Sequence, residues 1–207
     1  MAPTPAHLEA FAPLKWALPF LLSPSWSVNE RDRGPTAIKD GVDRHCSVAM
    51  RGPDGVEHWL ELVQPPAPGS KIVNKTVSLC KYGAGLNGFP GITHGGAAMT
   101  LMDEALGFAM VASETALRGE WGVRLDYMDS LAAGKPLAEI LNGALVTARL
   151  DVKFLGLMPC PGIVGIEVDI LERAGHKMKI RGVMKDENGT PLMQADGLWV
   201  RVGGAKI

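Results

Sequence analysis

The hydrophobic pattern is densest over residues 83–112, GAGLNGFPGITHGGAAMTLMDEALGFAMVA, where a glycine-rich loop runs into a stretch apolar on every helical face apart from Asp103 and Glu104. A helix apolar all round in a water-soluble protein is a buried one, so the pattern predicts a buried helix over about 95–112. From Ala144 onward it changes to β-prone runs: 144–154, 162–173, 176–185 and 191–202. The breaks Ala174-Gly175 and Asp186-Glu187-Asn188-Gly189 carry tight-turn residues, because glycine supplies the positive φ at which a chain reverses. Strands joined by such short turns are antiparallel.

Upstream, 46–51 and 56–63 read as a hairpin across Gly52-Pro53-Asp54-Gly55, and 71–81 is a further β-prone run. Residues 1–43 read as an extension with a short helix or two, packed on the domain edge by Trp16, Phe20 and Trp26. Residues 44–207 form the domain proper. Within it, 113–143 stands apart as an insertion, with Trp121, Tyr127 and the apolar run 137–141, expected as one or two short helices with loops. The expected class is α+β, one long buried helix against a curved antiparallel sheet.

Composition narrows the function classes. The chain has 207 residues, 46% hydrophobic and 21% charged, with a formal charge of −1. That length gives one domain a substantial core. No block of like charge exceeds three residues, which argues against nucleic acid as a partner, since that needs a face of clustered Lys and Arg. Cys46, Cys80 and Cys160 stand far apart without a Cys-x-x-Cys pair, the usage of reduced thiols in a cytoplasmic protein rather than of a disulfide framework or zinc site. The apolar run at 11–22 is short, interrupted by Pro13 and Pro19, and preceded by no basic residue, so it fits neither a signal peptide nor a membrane span.

Gly83, Gly85 and Gly88 spell the outline of a dinucleotide-binding loop. The context contradicts it: Pro90 and Gly91 stop a helix from starting where the third glycine would have to open one, and strands do not alternate with helices. The chemistry points instead at the helix. Placing ionisable groups midway along an apolar helix is costly unless they are paired or used. A helix start built of Gly95 and Gly96 offers unpaired N–H groups and a positive dipole end to an oxyanion, and a carboxylate further along can act as general base or nucleophile. No metal is required, and no ligand set for one is visible. Glu104, about 100° around the helix from Asp103, reads either as the base or as a salt-bridge partner. His94 reads either as an acid–base group or as a loop anchor, and Asp103 itself either as a base or as a satisfied structural carboxylate.

The run Gly88-Phe-Pro-Gly-Ile-Thr-His-Gly-Gly, with Asp103 nine residues after His94 and then Ala105 and Gly107, resembles the signature of hotdog-fold acyl thioesterases. The branch is that of the 4-hydroxybenzoyl-CoA and phenylacetyl-CoA thioesterases and the thioesterase superfamily members. The resemblance extends to Val146-Thr147-Ala148-Arg149-Leu150 and the three-strand ending. It implies a hotdog, a sheet wrapped around one central helix, assembled as a homodimer or dimer of dimers. It also implies hydrolysis of an acyl thioester carried on coenzyme A or on the phosphopantetheine of an acyl carrier protein, with no cofactor beyond that part of the substrate. Carried over by position, Asp103 is the catalytic carboxylate and Gly95 and Gly96 supply the oxyanion donors. Asn87 sits near the water or carbonyl, Thr147 orients the water, and His94 borders the site.

Met99, Phe108 and Phe89 are candidate acyl-pocket residues. Lys153 is the nearest cation for coenzyme A phosphates, since 154–159 carries no charge. Gly96 and Asp103 are seven residues apart, ~10 Å along a helix, whereas donor and base must converge to ~3 Å around one carbon. The expectation is a site between two subunits. A dehydratase or hydratase of β-hydroxyacyl thioesters, or a non-catalytic acyl-binding hotdog, are the alternative readings.

Overall fold

The computed structural model describes residues 2–31, 43–118 and 127–203. Residues 32–42 of the N-terminal extension, and Trp121 with the rest of 119–126, lie outside the described residues. Two short helices, α1 (Pro5–Phe11) and α2 (Leu18–Leu21), precede strand β1 (Ser27–Glu30). Then come β2 (Val56–Val63), β3 (Lys75–Tyr82) and a small hairpin of β4 (Asn87–Phe89) and β5 (Ile92–Thr93). The long helix α3 (Gly95–Arg118) follows, with α4 (Tyr127–Ala132) and α5 (Leu137–Ile140) after it. The chain ends in β6 (Leu145–Phe154), β7 (Gly162–Ala174), β8 (Lys177–Lys185) and β9 (Pro191–Arg201). Seven of these strands form one antiparallel sheet in the order β1-β2-β3-β7-β8-β9-β6.

The expected α+β architecture is observed: α3 lies across the concave face of the sheet, the arrangement of a hotdog. Ala98, Leu101, Met102, Ala105, Leu106 and Ala109 are buried, a stripe at alternating spacings of three and one that faces β3, β7 and β8. The helix rides close to the sheet. A Cβ at Gly182 of β8 would meet the sulfur of Met102 at 2.6 Å, so only glycine admits this approach. The opposite side of α3 is not covered to the same degree: Met99 is exposed and Asp103, Gly107, Phe108, Met110 and Val111 are half-buried. The helix is therefore buried along one stripe of this chain rather than all round.

The convex face carries a second apolar layer. Leu60 and Leu62 of β2 and Val77 and Leu79 of β3 point away from α3 and are covered by Phe11, Leu14, Ala17 and Leu21, with Trp16 and Trp26 at the margin. Extension residues 27–30 pair with β2, Ser27 opposite Val63 and Glu30 opposite Leu60, so the extension supplies an edge strand as well as a cover.

Several local expectations need correction. Residues 46–51 are not a strand: His45–Ala49 is a π-helical turn. Cys46 and Met50, four apart, both enter the core, a helical spacing rather than an alternating one. The hairpin with β2 is accordingly absent, and β2 pairs with β1 and β3 instead. The helix continues six residues past Ala112, through Ser113-Glu-Thr-Ala-Leu-Arg118, which contains no breaker. The turn chemistry holds. Gly175 has φ +58° and Gly189 φ +83°, and Asp186 Oδ1 accepts from the N–H groups of Asn188 and Thr190 at 2.9 and 2.8 Å. No helix among the described residues is long and apolar enough to cross a membrane.

Phe11 is fully buried between α1 and the convex face. Phe11→Ala is expected to cost about 3–5 kcal/mol in urea-induced unfolding. A loss below about 1 kcal/mol would mean that the outer layer contributes little to the fold.

Candidate active site

Asp103 and Glu104 are neighbours in sequence and opposites in environment. The ~100° step between them turns Asp103 toward β6 and Glu104 toward the β1–β2 side. Asp103 is half-buried, and Thr147 Oγ1 on β6 donates to its Oδ1 at 3.4 Å. Among the described residues no cation pairs with it. Burial raises its pKa above the ordinary carboxylate value, and the Thr147 hydrogen bond opposes that rise in part.

Glu104 is held by Arg31, the residue just after β1. The guanidinium Nη2 bonds Glu104 Oε2, and Nη1 bonds Glu61 Oε1 at 3.0 Å and the Glu104 carbonyl at 3.4 Å. The same guanidinium lies over the Trp59 ring at 4.7 Å. Arg31 is fixed at its backbone too, its N–H bonding Trp59 O at 2.9 Å and its carbonyl accepting from Arg51 Nη2 at 2.5 Å. Glu61 is 2% exposed, receives the Ser78 hydroxyl, and has its pKa pushed up to about 7, burial outweighing Arg31. Glu104 thus takes the salt-bridge role.

At the other end of the reaction zone, β4 and β5 fold the glycine loop back so that His94 immediately precedes α3. The His94 ring caps the helix: Gly96 N–H donates to His94 Nδ1 at 3.0 Å. Accepting at Nδ1 requires that nitrogen to be unprotonated, so a neutral ring here carries its proton on Nε2. This changes the reason for the glycines. A Cβ at Gly96 would meet His94 Nδ1 at 3.0 Å, and one at Gly88 would meet His94 Cα at 3.0 Å, so both make room for the cap. Gly95 N–H, in contrast, donates to no group among the described residues. Of the two expected oxyanion donors, Gly96 is engaged and Gly95 is open.

The remaining sequence-derived residues divide. Asn87 is exposed in β4, opposite Thr93, and Phe89 is 73% exposed at the rim of the same hairpin. Met99, one turn before Asp103, shares its face and is 40% exposed. Phe108 does not share it: four residues beyond Glu104, it belongs to the Arg31 side. Lys153 is also away from the site. It pairs with Gln194 on the convex face, whereas Phe154, next in the strand, reaches Gly95, its Cζ 3.6 Å from where a Cβ would stand. Sequence reasoning passed over Phe154 and Arg31: alternation counted from Thr147 would place Lys153 on its face, and the bulge between Thr147 and Arg149 shifts the phase so that Phe154 stands there instead, while no local signal marks Arg31. Among the described residues, Thr147 is the candidate site residue that pairs with Asp103. Gly95 lies eight residues, ~12 Å, down the helix axis from that carboxylate.

Asp43, Cys46 and Glu104 place potential ligand atoms within 4.8 Å of one another. Glu104 is already committed to Arg31 there, and this gives the trio no independent standing as a metal centre.

The model of the Thioesterase superfamily matches residues 90–192, a stretch that holds His94, Gly95, Gly96, Asp103 and Thr147. Similar solved structures include the Escherichia coli PaaI protein from the phenylacetic acid degradation operon, 13% identical, covering 63% of this chain and 75% of that one at a TM-score of 0.46. Zebra fish thioesterase superfamily member 2 is 16% identical over 69% of this chain and 81% of its own, TM-score 0.47. A hypothetical thioesterase from Streptococcus pneumoniae, solved with coenzyme A, is 14% identical over 64% and 82%, TM-score 0.44. No curated protein sequence matches the chain.

Burial of Glu61 makes stability pH-dependent. Its folded pKa of about 7 exceeds the ordinary 4.5, so the folded chain holds a proton between those values that the unfolded chain releases. Its contribution is full below about pH 4.5, falls as pH rises through 7, and amounts to on the order of 3 kcal/mol. Glu61→Gln is expected to flatten the stability profile between pH 5 and 7 in urea titrations. An unchanged slope would contradict the assignment.

Proposed function

We propose, from the premise that this chain belongs to the hotdog thioesterase superfamily, that it hydrolyses an acyl thioester with Asp103 as the carboxylate that activates or attacks. The observation that carries this reading is the division of labour on α3. Glu104 is neutralised by Arg31, whereas Asp103 keeps a raised pKa and only a hydroxyl partner. A structural carboxylate would be expected to hold a cation or several N–H donors; Asp103 holds neither among the described residues.

Thioester hydrolysis builds negative charge on the carbonyl oxygen. The open Gly95 N–H, at the positive end of a 24-residue helix, is placed to receive it. Asp103 then either draws a proton from water, with Thr147 steering that water, or adds to the carbonyl as a nucleophile to give an anhydride that water cleaves. Asn87 and Phe89 on the hairpin, and Met99 and Phe154 beside the helix start, would border the acyl group and its linker. The ~12 Å between Gly95 and Asp103 exceeds what one carbonyl can bridge, so the reading pairs Gly95 of one protomer with Asp103 of another. The uncovered side of α3 and the exposed edge strand β6 suit a homodimer that shares its sites. The committed cap role of His94 Nδ1 favours hydrolysis over a dehydratase, which needs a free histidine beside the acid.

The substrate class is an acyl group on a pantetheine arm, carried by coenzyme A or by an acyl carrier protein. Thiol release from panels of both kinds separates the carriers. Asp103→Asn is expected to lower kcat about 10²–10⁴-fold on the responsive substrate; retained hydrolysis would remove Asp103 from the mechanism. Because the carboxylate is the active form, kcat/KM is expected to fall with falling pH through a midpoint above the ordinary aspartate value.

Gly95→Pro removes the open N–H while proline remains acceptable at a first helical position. Alone it is expected to be inactive. Co-expressed with Asp103→Ala chains it is expected to recover about a quarter of wild-type turnover, from the intact site of each mixed dimer. Silent mixed dimers would contradict the shared site.

A further inference from the structure

Outside the proposed machinery, a densely bonded cluster surrounds Arg31, a residue of the N-terminal extension and not of the stretch that matches the family. Its guanidinium reaches through the sheet edge to the catalytic helix and bridges Glu61 of β2 and Glu104 of α3. The side chain is only 12% exposed and lies over the Trp59 ring, while the Arg31 backbone is held by the Trp59 carbonyl and the Arg51 guanidinium. The bond to the Glu104 carbonyl ties the helix backbone itself to the extension.

We propose that Arg31 is a positioning residue for Asp103: by tying off the charge and backbone of Glu104 it fixes the rotation of α3 and shields Asp103 from an adjacent anion. This rests on the reading of Asp103 as the catalytic carboxylate, but the electrostatic link it asserts is measurable without turnover. Consecutive helical residues keep their carboxylates within several ångströms, and in a half-buried setting an unpaired anion at that range discourages ionisation of its neighbour. With Arg31 present, the Glu104 charge is compensated where it arises.

Among the described residues the charged and titratable groups around Asp103 and Glu104 can be named element by element, and Asp43, just before the π-helical turn, brings a carboxylate within 4.8 Å of Glu104. Thr147 comes from β6, and Glu104 shares α3. Across the helix stand Glu61 of β2, Cys80 of β3, Cys46 of the π-helical turn, and the cations Arg31 and Arg51. Farther along α3, Glu114 is paired with Arg201 at 2.9 Å. Among the described residues, Arg31 is the cation bound to Glu104. Glu61 can respond to the loss of Arg31 by taking up a proton, because burial already favours its neutral form. The consequence for Asp103 then runs through Glu104.

The test is a carboxyl-carbon NMR titration of the full-length protein, with Asp103 assigned by comparison with Asp103→Asn. Arg31→Met keeps the stem and removes the charge; it is expected to raise the Asp103 midpoint by about 0.5–1 pH unit. Glu104→Gln removes the anion and is expected to lower the midpoint by a similar amount. The two signs are opposite, and a purely structural role for Arg31 would not produce them. Should Arg31→Met not fold, Glu104→Gln and the double variant Arg31→Met/Glu104→Gln carry the test, the double variant lying close to wild type.

The acid limb of kcat/KM is expected to move with each midpoint. An Asp103 midpoint unmoved in folded Arg31→Met or Glu104→Gln protein overturns the proposal whatever the activity. Hydrolysis that persists in Asp103→Asn overturns the catalytic reading separately, and with it the limb shift, while the titration still decides the electrostatic link.

Discussion

Two carboxylates side by side on a mostly apolar helix cannot both be left uncompensated, and the organisation of the molecule follows from how they are separated. The helical step sends them to different sides. Among the described residues, Glu104 meets a guanidinium and Asp103 meets only a threonine hydroxyl. Desolvation acts on both, but only one receives an opposite charge in return. The carboxylate that remains, with its raised pKa, is the kind of group that costs a fold something and is kept where it has chemistry to do.

The compensation for Glu104 comes from a distance in sequence. Arg31 belongs to a segment that also adds an edge strand and roofs the convex face with Phe11, Leu14 and Leu21. The sheet is thus clasped between two apolar layers, α3 within and the N-terminal helices without, and the arginine at the end of β1 stitches the outer assembly to the inner helix. The stretch 90–192 that matches the Thioesterase superfamily accordingly sits in a framework that begins well before it.

Much of the fold was legible because local rules agreed with one another. Strands β7, β8 and β9 were marked off by residues suited to reversing the chain, and Gly175 and Gly189 adopt the positive φ that this reading required. Asp103 was legible as a buried acid out of place in an apolar run. What was not legible depended on partners far away. Ser27–Glu30 is too short and too polar to announce a strand, and becomes one because β2 offers an open edge. The 46–51 run looked β-prone, yet Cys46 and Met50 both reach the core from one helical turn.

Gly96 looked like a place for a substrate to approach, whereas the His94 ring occupies that space. The cap could not be read from composition, since a histidine before a helix start serves equally as acid, ligand or anchor. Phe108 and Lys153 had suitable chemistry, but helical phase put one on the Glu104 side, and the bulge after Thr147 turned the other to the convex face. The side chain that does reach Gly95 is Phe154.

The central claim is that one lone acid on α3 faces a carbonyl held by a helix start. The most direct measurement is a crystal structure with a non-hydrolysable thioether analogue of a responsive acyl substrate. The account predicts its acyl carbon beside Asp103 and Thr147, with the adjoining oxygen acceptor on a Gly95 N–H contributed by a second protomer. An analogue bound away from Asp103, or an Asp103 turned from the ligand onto a cation, would contradict it.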